Sequence, residues 1–233
     1  MLLLFDIDGT LLHAAADAHR DAMHEALRIV HGVDVAKVPV TLSHAGRTDP
    51  EIARATLLAA GISAKRIDDG ALAVRDECCR AYVRLCPPDL SHTVLPGVQE
   101  LLEWLAGRDH LVLGLLTGNY ESVARLKLTR AGLGRYFPSG QGAFGSDAED
   151  RAALPAIARR RAGRVGSPQP REETIVIGDT PRDIACAQAD GVRCVAVTTG
   201  SFSAEDLSEA ERVAKNAAEL RRTLEDLLEP VAG

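Results

Sequence analysis

Leu2-Leu3-Leu4-Phe5-Asp6-Ile7-Asp8-Gly9-Thr10 decides the reading of this chain: an unbroken apolar run, then two acids one residue apart, closed by glycine. A short continuous apolar run bounded by a polar turn is the pattern of a strand buried on both faces, because a strand with one wet face would alternate. The pattern returns at Leu111–Leu116 before Thr117-Gly118-Asn119, at Thr174–Ile177 before Gly178-Asp179, and at Cys194–Val197 before Thr198-Thr199-Gly200. Between these runs, Val98–Ala106, Glu121–Ala131, Arg151–Arg161 and Arg182–Asp190 place apolar residues at intervals of three and four, the spacing of helices with one buried face. Alternating strands and helices predict an α/β fold with a Rossmann-like, doubly wound parallel sheet. Ligands in such sheets bind beyond the carboxyl ends of the strands, so the polar residues closing these runs are expected to share one rim.

The stretch from His13 to His92 breaks the alternation. It holds Ala-rich helical segments at Ala16–His31, Glu51–Ala60 and Ile67–Leu85 and no buried strand, which predicts a small helical cap over residues 14–92 inserted into a core of 1–13 and 93–233. Cys86-Pro87-Pro88-Asp89 marks its exit and Leu95-Pro96-Gly97 the start of the next core helix, since proline interrupts helices.

The 233 residues, 46% hydrophobic and 26% charged, suit one soluble chain with a sizeable core, and a net charge of −6 from interspersed acids and bases disfavours nucleic acid as a partner. An aromatic share of 3% adds to that, since base stacking needs aromatic faces. Arg159-Arg160-Arg161 reads as a solvated helix face. The odd set Cys78, Cys79, Cys86, Cys186 and Cys194, without a C-x-x-C spacing, reads as free thiols in a reducing compartment. Met1–Phe5 is far too short to target or span a membrane, so a cytoplasmic protein is expected, as monomer or homodimer.

Asp6 and Asp8 at the end of a buried strand repel each other and need a metal, a proton or a basic neighbour. Alone, the motif reads first as a turn or an Asx motif. A second pair, Asp179 and Asp183, follows the strand at Thr174–Ile177; taken singly, these acids are a helix cap and a first-turn acid. Four acids on two strand ends suit a hard cation such as Mg2+. Thr117-Gly118-Asn119 adds a hydroxyl and backbone N–H groups at a helix start, where an anion is favoured. A bound phosphate also calls for a protein cation, for which Arg151 and Lys127 are candidates, Arg151 preferred because Lys127 can be a surface lysine.

Together these residues resemble the haloacid dehalogenase superfamily, in its capped branch similar to phosphoglycolate phosphatases. The likeness rests on Asp6-Ile7-Asp8-Gly9-Thr10, Thr117, the basic residue upstream of the second acidic pair, and Gly178-Asp179-Thr180-Pro181-Arg182-Asp183, in this order over nearly the whole chain. The resemblance implies Asp6 as nucleophile, forming an aspartyl-phosphate, and Asp8 as the acid and then the base. It also implies Mg2+ held by Asp6, the Asp8 carbonyl and Asp179 with Asp183 in support, and Thr117, Gly118, Asn119 and Arg151 around the phosphate. The family usually has lysine where Glu149-Asp150-Arg151 stands here, and its true dehalogenases lack the second acid. In the cap, Gly46-Arg47-Thr48 resembles a substrate-facing loop, which makes Arg47 a candidate contact for an anionic leaving group, or else a solvated neighbour of a capped helix start. His13 is either a site residue or an exposed hinge. The expected activity is hydrolysis of a small phosphomonoester, phosphoglycolate- or sugar-phosphate-like, with a phosphomutase or a non-catalytic phosphometabolite-binding protein as alternatives.

Overall fold

In the computed structural model, which describes residues 1–39 and 43–228, Leu2–Phe5 forms β1 with every side chain fully buried. The chain continues through α1 (Asp17–His31), α2 (Asp49–Ala59), α3 (Ala64–Leu85), α4 (Val98–Ala106), β2 (Val112–Thr117) and α5 (Glu121–Arg130). It then runs through β3 (Ala143–Phe144), α6 (Leu154–Ala162), β4 (Thr174–Gly178), α7 (Pro181–Asp190), β5 (Arg193–Val197), β6 (Arg212–Ala214) and α8 (Ala217–Leu228). The six strands pair in parallel in the order β3-β2-β1-β4-β5-β6, the doubly wound α/β arrangement expected from the sequence. From β1 the chain steps outward to β2 and β3, then crosses back to β4 and steps outward the other way. The rim beside β1 and β4 is therefore where the connections diverge, the place where such sheets open a crevice.

Alternation along β1 explains the two helical layers. Leu3 and Phe5 point into a core shared with Val98 and Leu101 of α4, Val123 of α5 and Leu220 of α8, while Leu2 and Leu4 point the other way, against Leu154 of α6 and Ile184 and Ala187 of α7. The two-residue β3, the edge strand β6 and the terminal helix α8 carry too little pattern or lie too far from the decisive runs to be anticipated.

The insertion between β1 and α4 is helical throughout its described part, with α1 and α3 packed along each other. α1 buries His19, Ala22, Met23, Ala26 and Leu27 on one face and ends where Gly32 turns left-handed. Thr48 and Ser63 cap α2 and α3 with their side-chain oxygens. Residues 40–42 and 229–233 of the expected cap and core ranges lie outside the described residues.

The arginine run is a correction. Arg159 is buried, not solvated, and its Nε donates to Asp190 at 2.6 Å, whereas Arg160 and Arg161 are exposed, Arg161 pairing with Asp147 at 2.6 Å. Two of the three arginines thus tie α6 to its surroundings. The five cysteines are unpaired, four of them buried. Among the described residues no helix is long and apolar enough to cross a membrane.

Candidate active site

Asp6 leaves the sheet at the rim, and its N–H donates to the Ile177 carbonyl of β4 at 2.9 Å, which fixes the nucleophile candidate against the neighbouring strand. Gly9 follows with φ +91°, and a side chain there would collide with the Asp179 carboxylate. Glycine is needed at this turn so that Asp179, at the end of β4, can approach Asp6.

One carboxylate oxygen from each of Asp6, Asp179 and Asp183 lies within 4.8 Å of the other two, and all three side chains are buried. Against these three acids the described residues bring one cation. Arg151 Nη2 donates to Asp6 Oδ1 at 3.0 Å and to Asp183 Oδ1, while its buried Nε has no partner. Asp183 also accepts from the Thr180 amide at 3.0 Å and hydroxyl at 2.8 Å; Thr180, not Asp179, caps α7, with Asp183 completing a capping box. Asp179 accepts only from the Thr10 hydroxyl, at 3.3 Å, among side chains of the described residues.

This shortage of positive charge sets the electrostatics. Burial pushes Asp6 up to about 7, with Arg151 opposing and the charges of Asp183 and Asp8 adding to the rise. Burial, helped by Asp6 and Asp183, pushes Asp179 up to about 8. Three buried carboxylates beside one guanidinium carry more negative charge than the described residues balance, and oxygen donors of this kind fit a hard cation such as Mg2+. Asp6, Asp179 and Asp183 are the residues that would hold it.

The Asp8 carboxylate stands outside that cluster. Lys127 Nζ donates to its two oxygens at 2.9 and 2.8 Å and to Asn119 Oδ1 at 2.9 Å. Burial alone would raise Asp8, but the charge and hydrogen bonds of Lys127 outweigh it and hold the carboxyl below its ordinary range. Lys127 is thus no surface residue: it is 0% exposed, the most enclosed cation of the site. A signal was available in the sequence, since Val123, Ala124, Lys127 and Leu128 form the buried stripe of α5 and the lysine falls inside it. Arg151 and Lys127 do not compete for one role; they serve different carboxylates.

Thr117 ends β2, and its hydroxyl accepts from the Asn119 amide at 3.3 Å. The amides opening α5 are paired: Tyr120 N–H donates to Asp49 at 2.7 Å and Glu121 N–H to Ser146 at 2.9 Å. A cavity of about 690 Å³ separates the rim from the insertion. Asp6, Asp8, His13, Thr117, Gly118, Asn119, Arg151 and Asp179 line it from the core, with Asp183 and Lys127 bonded behind Arg151 and Asp8, while His19 and Arg47 face it from the insertion. Arg47 is engaged rather than solvated, pairing with Glu51 and donating from Nε to the Ser43 carbonyl at 3.0 Å, beside the helix start capped by Thr48. Sequence reasoning passed over Asp49 and His19, whose carboxylate and ring meet at 3.0 Å between insertion and core.

Residues 1–191 match the model of a family described as haloacid dehalogenase-like hydrolase. The chain belongs to the haloacid dehalogenase-like hydrolases. Among its relatives, a phosphoglycolate phosphatase of Pseudomonas fluorescens is 28% identical over 99% of this chain and 81% of its own length. A phosphoglycolate phosphatase of Rhodospirillum rubrum is 30% identical, covering 85% and 79% respectively. A hydrolase structure from Pseudomonas syringae superposes with a TM-score of 0.66 at 22% identity, over the full length of both chains, which agrees with the haloacid dehalogenase-like fold. For a hydrolase of this family, the rim beside β1 and β4 is the place to look for the reacting groups.

Proposed function

We propose that the protein is a magnesium-dependent phosphatase that hydrolyses a small phosphomonoester, phosphoglycolate- or sugar-phosphate-like, through an aspartyl-phosphate on Asp6, with the helical insertion acting as its cap. The observation that carries this reading is the buried triad Asp6, Asp179 and Asp183, opposed by a single guanidinium and facing a cavity large enough for a substrate. The names of the curated relatives point the same way.

In this mechanism the substrate phosphate sits against Arg151, Thr117, Gly118 and Asn119, the guanidinium meeting its oxygens with a charge-assisted fork. When bound, magnesium screens the phosphate from Asp6 and favours the ionised carboxylate. Asp6 attacks phosphorus as the bond to the alcohol oxygen breaks, and Asp8 delivers a proton to that oxygen. Asp8 then takes a proton from water, which attacks the acyl phosphate and frees both inorganic phosphate and Asp6. Lys127 keeps Asp8 ionised in the free site, the form needed for the second step. The first step needs it protonated, and the negative charge of an arriving phosphate raises its proton affinity. Closure of the insertion over the rim would exclude water while the leaving group departs. The unpaired thiols support a reducing, cytoplasmic setting.

The test is release of inorganic phosphate from 4-nitrophenyl phosphate, phosphoglycolate and several sugar phosphates, with magnesium and with a chelator. Magnesium-dependent release is expected. Folded protein inert on the whole panel would leave a binding role, and an isomerised ester without free phosphate would make it a mutase.

A further inference from the structure

α2 begins with Asp49 on its buried stripe, in register with Ala53, Thr56 and Leu57. A carboxylate only 4% exposed on such a face needs partners, and it finds them across the boundary between insertion and core. Oδ2 accepts from the Tyr120 N–H at 2.7 Å and from His19 Nε2 of α1 at 3.0 Å. The Asp49 N–H donates to the Gly118 carbonyl at 2.8 Å. The same residue therefore grips the main chain on both sides of Asn119. The Asn119 side-chain oxygen accepts from Lys127, and Lys127 holds both oxygens of Asp8. The approach is close: a side chain on Gly118 would run into the Arg47 carbonyl. His19 is steadied in turn by the Tyr82 ring of α3, edge-on at 5.7 Å.

We propose that Asp49 is a positioning residue: it clasps the Gly118–Tyr120 segment when the insertion rests on the rim and, through Asn119 and Lys127, sets the carboxylate of Asp8. Lifting the insertion breaks the bonds to Gly118 and Tyr120 together. Asp8 is then correctly held only over a closed site, so proton transfer is coupled to closure without Asp49 touching the substrate. The kinetic half of this inference rests on the phosphatase reading; the clasp itself does not.

The test measures hydrogen exchange of the Tyr120 amide and, in parallel, kcat and KM, for the full-length wild type, D49A, D49N and H19A. D49A is expected to speed exchange at Tyr120 by about tenfold or more, as a buried donor loses its acceptor. It is also expected to lower kcat by about 10- to 100-fold with KM within about twofold, since a displaced proton-transfer group slows chemistry more than binding. D49N keeps an oxygen for the Tyr120 N–H and restores protection and most of kcat. H19A has a smaller effect on Tyr120 exchange, and the D49A/H19A double variant exchanges Tyr120 no faster than D49A, because on that amide the two act through one contact. Unchanged Tyr120 exchange in D49A overturns the clasp, and lost protection with unchanged kcat overturns its coupling to Asp8. If D49A does not fold, faster Tyr120 exchange in H19A supports the clasp and unchanged exchange overturns it. A wild type that releases no phosphate defeats the phosphatase reading, and the exchange data then decide the clasp alone.

Discussion

The two acids of the opening motif lie one residue apart and live in opposite electrostatic surroundings. Around Asp6, three buried carboxylates share one guanidinium, and the acids hold their protons up to about 7 and about 8. Around Asp8, one carboxylate has a whole ammonium to itself and is held ionised. A single Asp-x-Asp run thereby divides labour. The charge-deficient side is suited to a metal and a phosphate, and the charge-balanced side to moving a proton. Pairs of titratable groups with diverging environments are a common route to such a division.

The comparison breaks most sharply at Asp6. D6N is expected to reduce magnesium-dependent phosphate release by at least about a thousandfold, as loss of a nucleophile does in covalent catalysis. Phosphate release in a continuous assay checks it, and near-normal activity would remove Asp6 from the chemistry. On the other side, K127M leaves the half-buried Asp8 without its cation, so its proton affinity rises. The acid limb of the kcat–pH profile should move to higher pH, with a loss of about 100-fold near neutrality, the usual size of a proton-transfer contribution. An unmoved limb would mean that Lys127 does not set Asp8.

Stability gives a smaller effect with a definite sign. Asp6 and Asp179 are raised from 3.8 to about 7 and about 8, so the metal-free folded state binds more protons than the unfolded chain between those limits. The stability these groups contribute is complete at low pH and is lost as pH rises through the folded values. The melting temperature of chelated protein should therefore fall by a few degrees from about pH 6 to about pH 9, with magnesium stabilising more at the upper end. Differential scanning calorimetry reads this directly; equal magnesium stabilisation at both ends would contradict the charge deficit. The smallest effect is expected at Arg47, which is spent on Glu51 rather than on either carboxylate. R47A should change kcat/KM for an aryl phosphate with an uncharged aryl group by less than about threefold, as expected for a partly exposed pair.

Most of the scaffold was legible because buried parallel strands leave an unmistakable apolar run, and the polar residues closing each run mark the rim. Asp6, Asp179 and Thr117 follow from that logic, and the sheet brings them to one edge. The arrangement of cations was less legible. A lysine or arginine in sequence does not announce whether its stem crosses a buried layer, so Lys127 and Arg159 both read as surface residues although the fold encloses them. Asp49 and His19 were hidden for another reason. Their roles depend on how the insertion meets the loop after β2, a contact between residues far apart in the chain that no local pattern encodes.

In the proposed mechanism Asp6 itself receives the phosphoryl group. Rapid-quench single turnover with a radiolabelled aryl phosphate and magnesium, followed by peptide mapping, tests it directly. A transient label is expected on the peptide bearing Asp6, appearing before free phosphate and absent in D6N. Free phosphate formed at full rate with no labelled protein at any time would contradict it.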